Sequence, residues 1–355
     1  MDLLYEQKDR REEIYQLYQE IFEDPEEFAA YYFREIYPGN QILIAQEKKI
    51  LGMIHLNPYK IHMGDREQVL HYIVAVAVRQ EHRRRGIMAQ MLKRCLRDMA
   101  ERKEPFTYLM PADRAYYEPF GFVFVMDWQT EEVWGREEDS CGSVQPAIEE
   151  EYREISKFLT KYVQASAIYT VPDLDYVRRT VKESQSSGGG LMTWKEEGRI
   201  RGVFAEGYEG EDVFLRWAFA DDPGKMLSVI RNRFWGRKIE ITGGNVTKGK
   251  PEPKIMARMV CLEAWEGILK AKGTFSFRLR VEDPLIKEND HVFCFSGDQG
   301  LLKITRTQKD GGEKKISVED LTQVFFGYEA DHILEKHPYL KNIIPAGPIY
   351  ISEEV

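Results

Sequence analysis

Between His71 and Met99 the sequence passes from an almost wholly apolar run, through a basic turn, into a segment with helical spacing. That order leaves few folds open. His71 to Val78 is apolar at consecutive positions, so a strand there must be covered on both faces and belongs at the centre of a sheet. From Ile87 onward, Ile87, Met88, Met91, Leu92, Cys95, Leu96 and Met99 recur every 3.6 residues among good helix formers. A buried strand feeding directly into such a helix is the repeating unit of an α/β sheet.

The turn between them, Arg79-Gln80-Glu81-His82-Arg83-Arg84-Arg85-Gly86, is the first chemically suggestive feature. A helix N-terminus presents unpaired N–H groups and about half a positive charge, which together bind phosphate oxygens. Gly86 lets a ligand approach, and Arg79, Arg83, Arg84, Arg85, Lys93, Arg94 and Arg97 form a local basic cluster. Two readings stay open on spacing alone, a polyphosphate site or an ordinary glycine turn beside an exposed basic helix. Nucleotide loops of the G-x-x-x-x-G-K-[ST] or G-x-G-x-x-G type are absent.

The basic cluster stands out because the 355-residue chain is acidic, with 50 Lys+Arg against 59 Asp+Glu and a formal charge of -9. That balance argues against a nucleic-acid or anionic-membrane binder. The longest purely apolar stretch is Ile73 to Val78, where a membrane span needs roughly 20 residues, and no secretory signal is visible, so a soluble, cytoplasmic protein is expected. Cys95, Cys141, Cys261 and Cys294 are scattered without metal-ligand spacing and read as reduced packing residues, so no metal site is expected.

At roughly 100 to 200 residues per domain, the length calls for two or three cores. Residues 1–133 interleave helices (Glu12–Phe22, Pro25–Ile36, Ile87–Met99) with strands (Gln41–Gln46, Ile50–Asn57, His71–Val78, Phe106–Met110). Gly135 to Pro146 reads as a linker or surface loop, and a second linker starts at Gly243. Residues 147–250 repeat the plan faintly, with a helix at Ile148–Val163, a hairpin at Leu191–Trp194 and Ile200–Glu206, and a strand at Val213–Phe219. In 251–355 the pattern predicts a helix over Met256–Leu269, then strands at Thr274–Val281, His291–Phe295 and Gly300–Thr307, and a helix capped by Ser317. Trp194, Trp217 and Trp235 are expected to fill cores, and Tyr116 to pack.

With these residues in view, the sequence resembles the GNAT acetyltransferase superfamily. Arg83-x-x-Gly86 matches its acyl-coenzyme A pyrophosphate loop, Q/R-x-x-G-x-G/A, with Met88 at the last position as a departure. Leu109 to Phe122, with Tyr117-x-x-Phe120-Gly121, looks like the segment that carries the catalytic tyrosine in the enhanced-intracellular-survival (Eis-like) acetyltransferases. Met256 to Ala264 resembles the opening of that family's sterol-carrier-like third domain. The resemblance implies a mixed α/β (α+β) fold: a GNAT-type sheet flanked by helices over 1–133, a degenerate second GNAT-like domain over 147–250, and a sterol-carrier-like domain over 251–355.

It further implies N-acetylation of a primary amine by direct attack on acetyl-CoA, without a metal, and makes homo-oligomerisation an expectation. Val76, Ala77 and Val78 would offer backbone to the cofactor; Arg84, Arg85, Gly86, Ile87, Met88 and Ala89 would wrap its pyrophosphate; Ala112 and Asp113 would border it. Tyr117 would be the general acid, since a phenol stays protonated at neutral pH. The α-carboxylate of Val355 would be the base, although at a pKa near 3.5 it needs burial or a bridging water to act. His71 is a base candidate or a hydrogen-bonded structural residue, and Glu23-Asp24 could attract a cationic amine or simply end a solvated helix. The competing function is a CoA- or lipid-binding module without catalysis.

Overall fold

The computed structural model describes residues 1–307 and 314–353. Among them, fourteen strands form one mixed sheet and six form another. The first sheet begins β1 (Asp2–Tyr5), β2 (Gln41–Gln46), β3 (Ile50–Met63), β4 (Arg66–Val78), with each neighbour antiparallel. Helices α1 (Arg11–Ile21) and α2 (Glu26–Tyr31) cover one face, burying Ile14, Leu17, Tyr18, Ala29 and Tyr31. The other face is covered by α3 (Ile87–Glu101), whose buried residues Ile87, Met91, Leu92, Cys95, Leu96 and Met99 are those its spacing predicts.

The next strand, β5 (Phe106–Leu109), runs parallel to β4, with Tyr72 and Tyr108 in register. Strand β6 (Val123–Trp134) then extends across into the second lobe. There β7 (Ser143–Pro146) pairs with β9 (Gly190–Glu196), so the stretch expected to be a linker is partly strand. The short β8 (Ile168–Thr170) pairs with β3, and β10 (Arg199–Glu209) and β11 (Asp212–Ala220) complete a meander. Helices α4 (Tyr152–Val163) and α5 (Leu174–Ser186) pack on it, and α6 (Pro223–Arg233) leads to β12 (Lys238–Thr242), parallel to β11. This repeats the β4–α3–β5 crossover. The α6 N-terminus, however, is closed by Pro223 and by Asp222, whose carboxylate accepts from Lys225 N.

Two expectations fail here. The stretch Met256–Leu269 is not a helix: β13 (Lys250–Met259) is a strand inserted between β5 and β6, followed by a short turn at Leu262–Trp265. An interior strand is buried on both faces, so Ile255–Val260 is apolar at nearly every position and carries no period to separate strand from helix. Trp235 is 71% exposed rather than in a core, because it sits in the turn between α6 and β12.

The smaller sheet holds β14 (Lys270–Ala271), β15 (Phe275–Glu282), β16 (Val292–Asp298), β17 (Leu301–Thr307), β18 (Lys314–Ser317) and β19 (Ile343–Ile344). Helix α7 (Val318–Phe326), capped by Ser317 Oγ on Asp320 N, and α8 (Asp331–Lys336) pack against it. One hydrophobic core runs from β3, β4 and α3 through β13 to Leu321, Phe325 and Phe326. The chain returns to the first sheet as β20 (Ile349–Tyr350), parallel to β8. Among the described residues, no helix is long and apolar enough to cross a membrane.

Candidate active site

Strand β4 carries an extra residue against β3. Register passes from Gly52↔Val78 and Met53↔Ala77 to His55↔Val74, so Ala75 and Val76 stand opposite Ile54 alone, and Ala75 takes a φ of 48°. Such a bulge bends its strand. Consequently β4 and β5 stay in register only at Tyr72 and Tyr108, then diverge, and β5 turns its other edge to β13. Val76, Ala77 and Val78 lie beyond the split, on an edge whose N–H and C=O groups have no strand neighbour on the β5 side among the described residues. Val78 O accepts from Arg83 Nε at 3.1 Å; the rest of the edge, lined by half-buried valines and without a neighbouring strand, suits an extended amide-bearing chain laid in as a short strand.

The open end of this fork meets the α3 N-terminus. Arg84 at φ 61° and Gly86 at φ 77° both adopt the left-handed conformation, turning successive N–H groups of the loop and first helical turn toward one side. No side chain caps this helix and no acid occupies its first turn. A Cβ built on Gly86 meets no atom within 4 Å, so the space in front of the loop is open. Arg85 and Ala89 flank it, Ile87 anchors the turn in the core, and Met88 packs against that core, which absorbs the departure at this position. Among the described residues, Arg84 and Lys93 form no ion pair, whereas Arg79 is committed to Ile50 O and Glu20, and Arg94 to Asp98.

Past β5, Ala112 and Asp113 are exposed, and Asp113 caps a short turn by accepting from Ala115 N at 2.9 Å. Tyr117 follows, 8% exposed, with its ring edge-on to Phe122 at 5.9 Å and its hydroxyl free of hydrogen bonds among the described residues. Burial, with a smaller contribution from Tyr116, pushes its phenol up to about 12. Tyr116 is 58% exposed and does not pack, because the turn directs adjacent residues to opposite sides. His71 is buried, with Nδ1 2.9 Å from Glu104 Oε1, and Glu104 also accepts from Arg102. It is a hydrogen-bonded structural residue on the strand, away from the open end of the fork.

Sequence reasoning missed a polar interior on the α2 and α5 side of the sheet. Tyr32 Oη contacts His55 Nδ1 at 3.0 Å and Asn57 Oδ1 at 3.2 Å, and desolvation pushes the His55 imidazole down to about 3, so it is neutral. Beside this network a cavity of about 220 Å³ is lined by Asp24, Phe28, Glu183, Glu206, Phe214 and Arg216, among others. Glu183 and Glu206 are neutralised by Arg216 and Arg233, while Asp24 accepts from the Tyr18 hydroxyl at the rim. Glu353 reaches the same interior, whereas Val355 lies outside the described residues. The available sign was a carboxylate closing an otherwise apolar tail, Ile343 to Ile351. No cluster of His, Cys, Asp and Glu among the described residues could hold a metal ion.

Residues 5–125 match the family model of the acetyltransferase (GNAT) domain, and residues 262–340 match that of the sterol carrier protein domain. No curated protein matches the sequence. Among solved structures, a GCN5-related N-acetyltransferase from Anabaena variabilis is 13% identical with a TM-score of 0.79, covering 99% of each chain. A probable N-acyltransferase from Enterococcus faecalis is 15% identical with a TM-score of 0.78, over 97% of this chain and 93% of that one. Eis1 from Mycobacterium abscessus is 15% identical with a TM-score of 0.70, over 100% of both. At these identities the likeness is one of fold. The chain therefore carries a GNAT acetyltransferase domain at its N-terminal end and a sterol-carrier-like domain toward its C-terminal end.

Proposed function

We propose that this protein transfers the acetyl group of acetyl-CoA to a primary amine by direct attack in a ternary complex. The observation that carries this reading is the fork: a β4 edge free to pair with the pantetheine amides, ending at an uncapped, left-handed, arginine-rich helix N-terminus suited to a pyrophosphate. Val76, Ala77 and Val78 would hold the arm, Arg84 through Ala89 the pyrophosphate, and Ala112 and Asp113 the far wall. Tyr117, kept protonated by burial, would donate to the departing thiolate. An amine would enter through the cavity beside Asp24, whose carboxylate favours a cation in a chain of net charge -9. Positioning would supply most of the rate, since holding amine and thioester together replaces a bimolecular encounter.

Coenzyme A release, followed with spermidine, kanamycin and a lysine peptide as acceptors, tests the activity; no release above hydrolysis with any of these amines counts against it. The cofactor site has its own check. Gly86→Val forces a β-branched residue into a left-handed conformation and projects its side chain into the open space before the loop. Where the free loop relaxes away from a strain of about 1–2 kcal/mol, binding has to restore it, which predicts roughly tenfold weaker acetyl-CoA binding by calorimetry, and steric exclusion adds to it. Unchanged affinity in the folded variant removes Gly86 from the site.

A further inference from the structure

The tail before Glu353 is fastened at each residue. Ile349 and Tyr350 pair with Ile168 and Tyr169, Trp128 Nε1 donates to Ile351 O at 3.0 Å, and Arg216 donates to Ser352 O through Nε at 3.1 Å and Nη2 at 3.0 Å. Ser352 Oγ lies 3.2 Å from Tyr176 Oη. Glu353 then enters the interior at 0% exposure, and neither of its carboxyl oxygens has a hydrogen-bond partner among the described residues. Facing it are the phenols of Tyr59 on β3, Tyr108 on β5, Tyr176 on α5 and Tyr350 on β20, and the Thr170 hydroxyl on β8. The guanidinium groups of Arg179 on α5 and Arg216 on β11 also face it, with Glu183 paired to Arg216 beyond. Tyr108 Oη, Thr170 Oγ1 and Arg179 Nη1 are likewise buried without partners.

Unpaired buried polar groups are costly and rare, so four in one place mark a site built for a group the described chain does not supply. Its location narrows the choice. Tyr108 belongs to the last registered pair before β4 and β5 separate, so Glu353 stands at the closed end of the fork, and Arg216 links it to the cavity beside Asp24. Resting on the acetyl-transfer reading, we infer that Glu353 is the base that takes a proton from the acceptor ammonium.

One N–H proton passes from R–NH3+ to a Glu353 carboxylate oxygen, leaving a neutral amine and a neutral carboxyl. The amine lone pair forms the C–N bond at the thioester carbon, and the C–S electron pair departs with sulfur, which takes the Tyr117 proton. The remaining extra proton on nitrogen returns to the Tyr117 oxygen through solvent, and Glu353 releases its proton to water. The sum is ammonium plus acetyl-CoA giving amide, coenzyme A thiol and one proton. Burial supports the role, because it pushes the Glu353 carboxyl up from its ordinary range. An ordinary carboxylate and an ammonium differ by about six pKa units, and narrowing that gap makes the neutral pair accessible. Since the carboxyl is raised, its carboxylate form appears only as pH climbs through that raised value, and activity should rise with it.

Glu353→Gln keeps the shape and removes proton acceptance. Coenzyme A release with spermidine, kanamycin or the lysine peptide should show kcat reduced about 100-fold to 10,000-fold, with the acid limb of the pH profile gone. Acetyl-CoA affinity and melting temperature should not fall. Glu353→Asp should retain the acid limb at reduced kcat. A Glu353→Gln enzyme with unchanged kcat and acid limb overturns the inference. Loss of activity together with a lowered melting temperature, or with the acid limb intact in what remains, also overturns it in favour of a structural role. Failure of the native enzyme with all three amines sinks the acetyl-transfer reading, and this inference with it, before any variant is made.

Discussion

Tyr117→Phe lowers turnover about 100-fold to 10,000-fold and leaves acetyl-CoA affinity unchanged, because it removes a proton and keeps the ring that packs against Phe122. The expectation follows from where the phenol sits. Two short turns, Arg114–Tyr116 and Glu118–Phe120, hold Tyr117 between them just past β5, and burial pushes its pKa up to about 12. A raised phenol pKa means the neutral form persists to higher pH, so the group is a donor throughout the neutral range. An ordinary tyrosine would begin to lose its proton near pH 10. Native kcat should therefore show no alkaline loss from this group up to about pH 10. The neighbouring Tyr116→Phe, altering an exposed ring, should change nothing. Full activity in Tyr117→Phe, measured by coenzyme A release at saturating substrates, removes the phenol from the reaction.

What the sequence disclosed was governed by local period and by special residues. The strand at His71–Val78, the helix from Ile87 and the glycine between them were legible because each has its own physical signature: burial on both faces, a 3.6-residue stripe, and a left-handed turn. The bulge at Ala75–Val76 was not, since alanine and valine give no sign of a left-handed residue inside a strand. Yet the bulge opens the fork on which the cofactor reading depends. Strand β13 misled for the complementary reason: burial on both faces removes the alternation that would distinguish it, and its partners, β5 and β6, lie more than 100 residues earlier. Glu353 escaped notice because one of two adjacent acids in a tail acquires meaning only from long-range neighbours such as Tyr59, Tyr108 and Arg216.

The misread strand also explains how the sterol-carrier-like part of the chain can bear on the proposed reaction. Arg258 on β13 and Asp283 are both wholly buried, with Nη2 2.6 Å from Oδ1. Asp283 also accepts from Leu285 N and Ile286 N, each at 3.0 Å, and from Asn289 Nδ2 at 3.0 Å. Arg258 donates to Met259 O and, through Nε at 2.8 Å, to Phe120 O, three residues beyond Tyr117. Breaking a buried pair costs about 3–5 kcal/mol because a desolvated charge is left uncompensated. Asp283→Ala should lie at the upper end, since it strands a guanidinium that retains only two carbonyls and also orphans three donors. Arg258→Met should cost less, since the remaining carboxylate keeps those three N–H groups. Activity should order the other way: Arg258→Met releases the Phe120 carbonyl and loosens the Tyr117 turn, so turnover falls at temperatures where both variants are folded, whereas Asp283→Ala leaves that hydrogen bond in place. Urea denaturation and coenzyme A release, run on the same pair of variants, measure the two orders. If stability and turnover decline in the same order, the pair fastens the lobes together without steadying Tyr117.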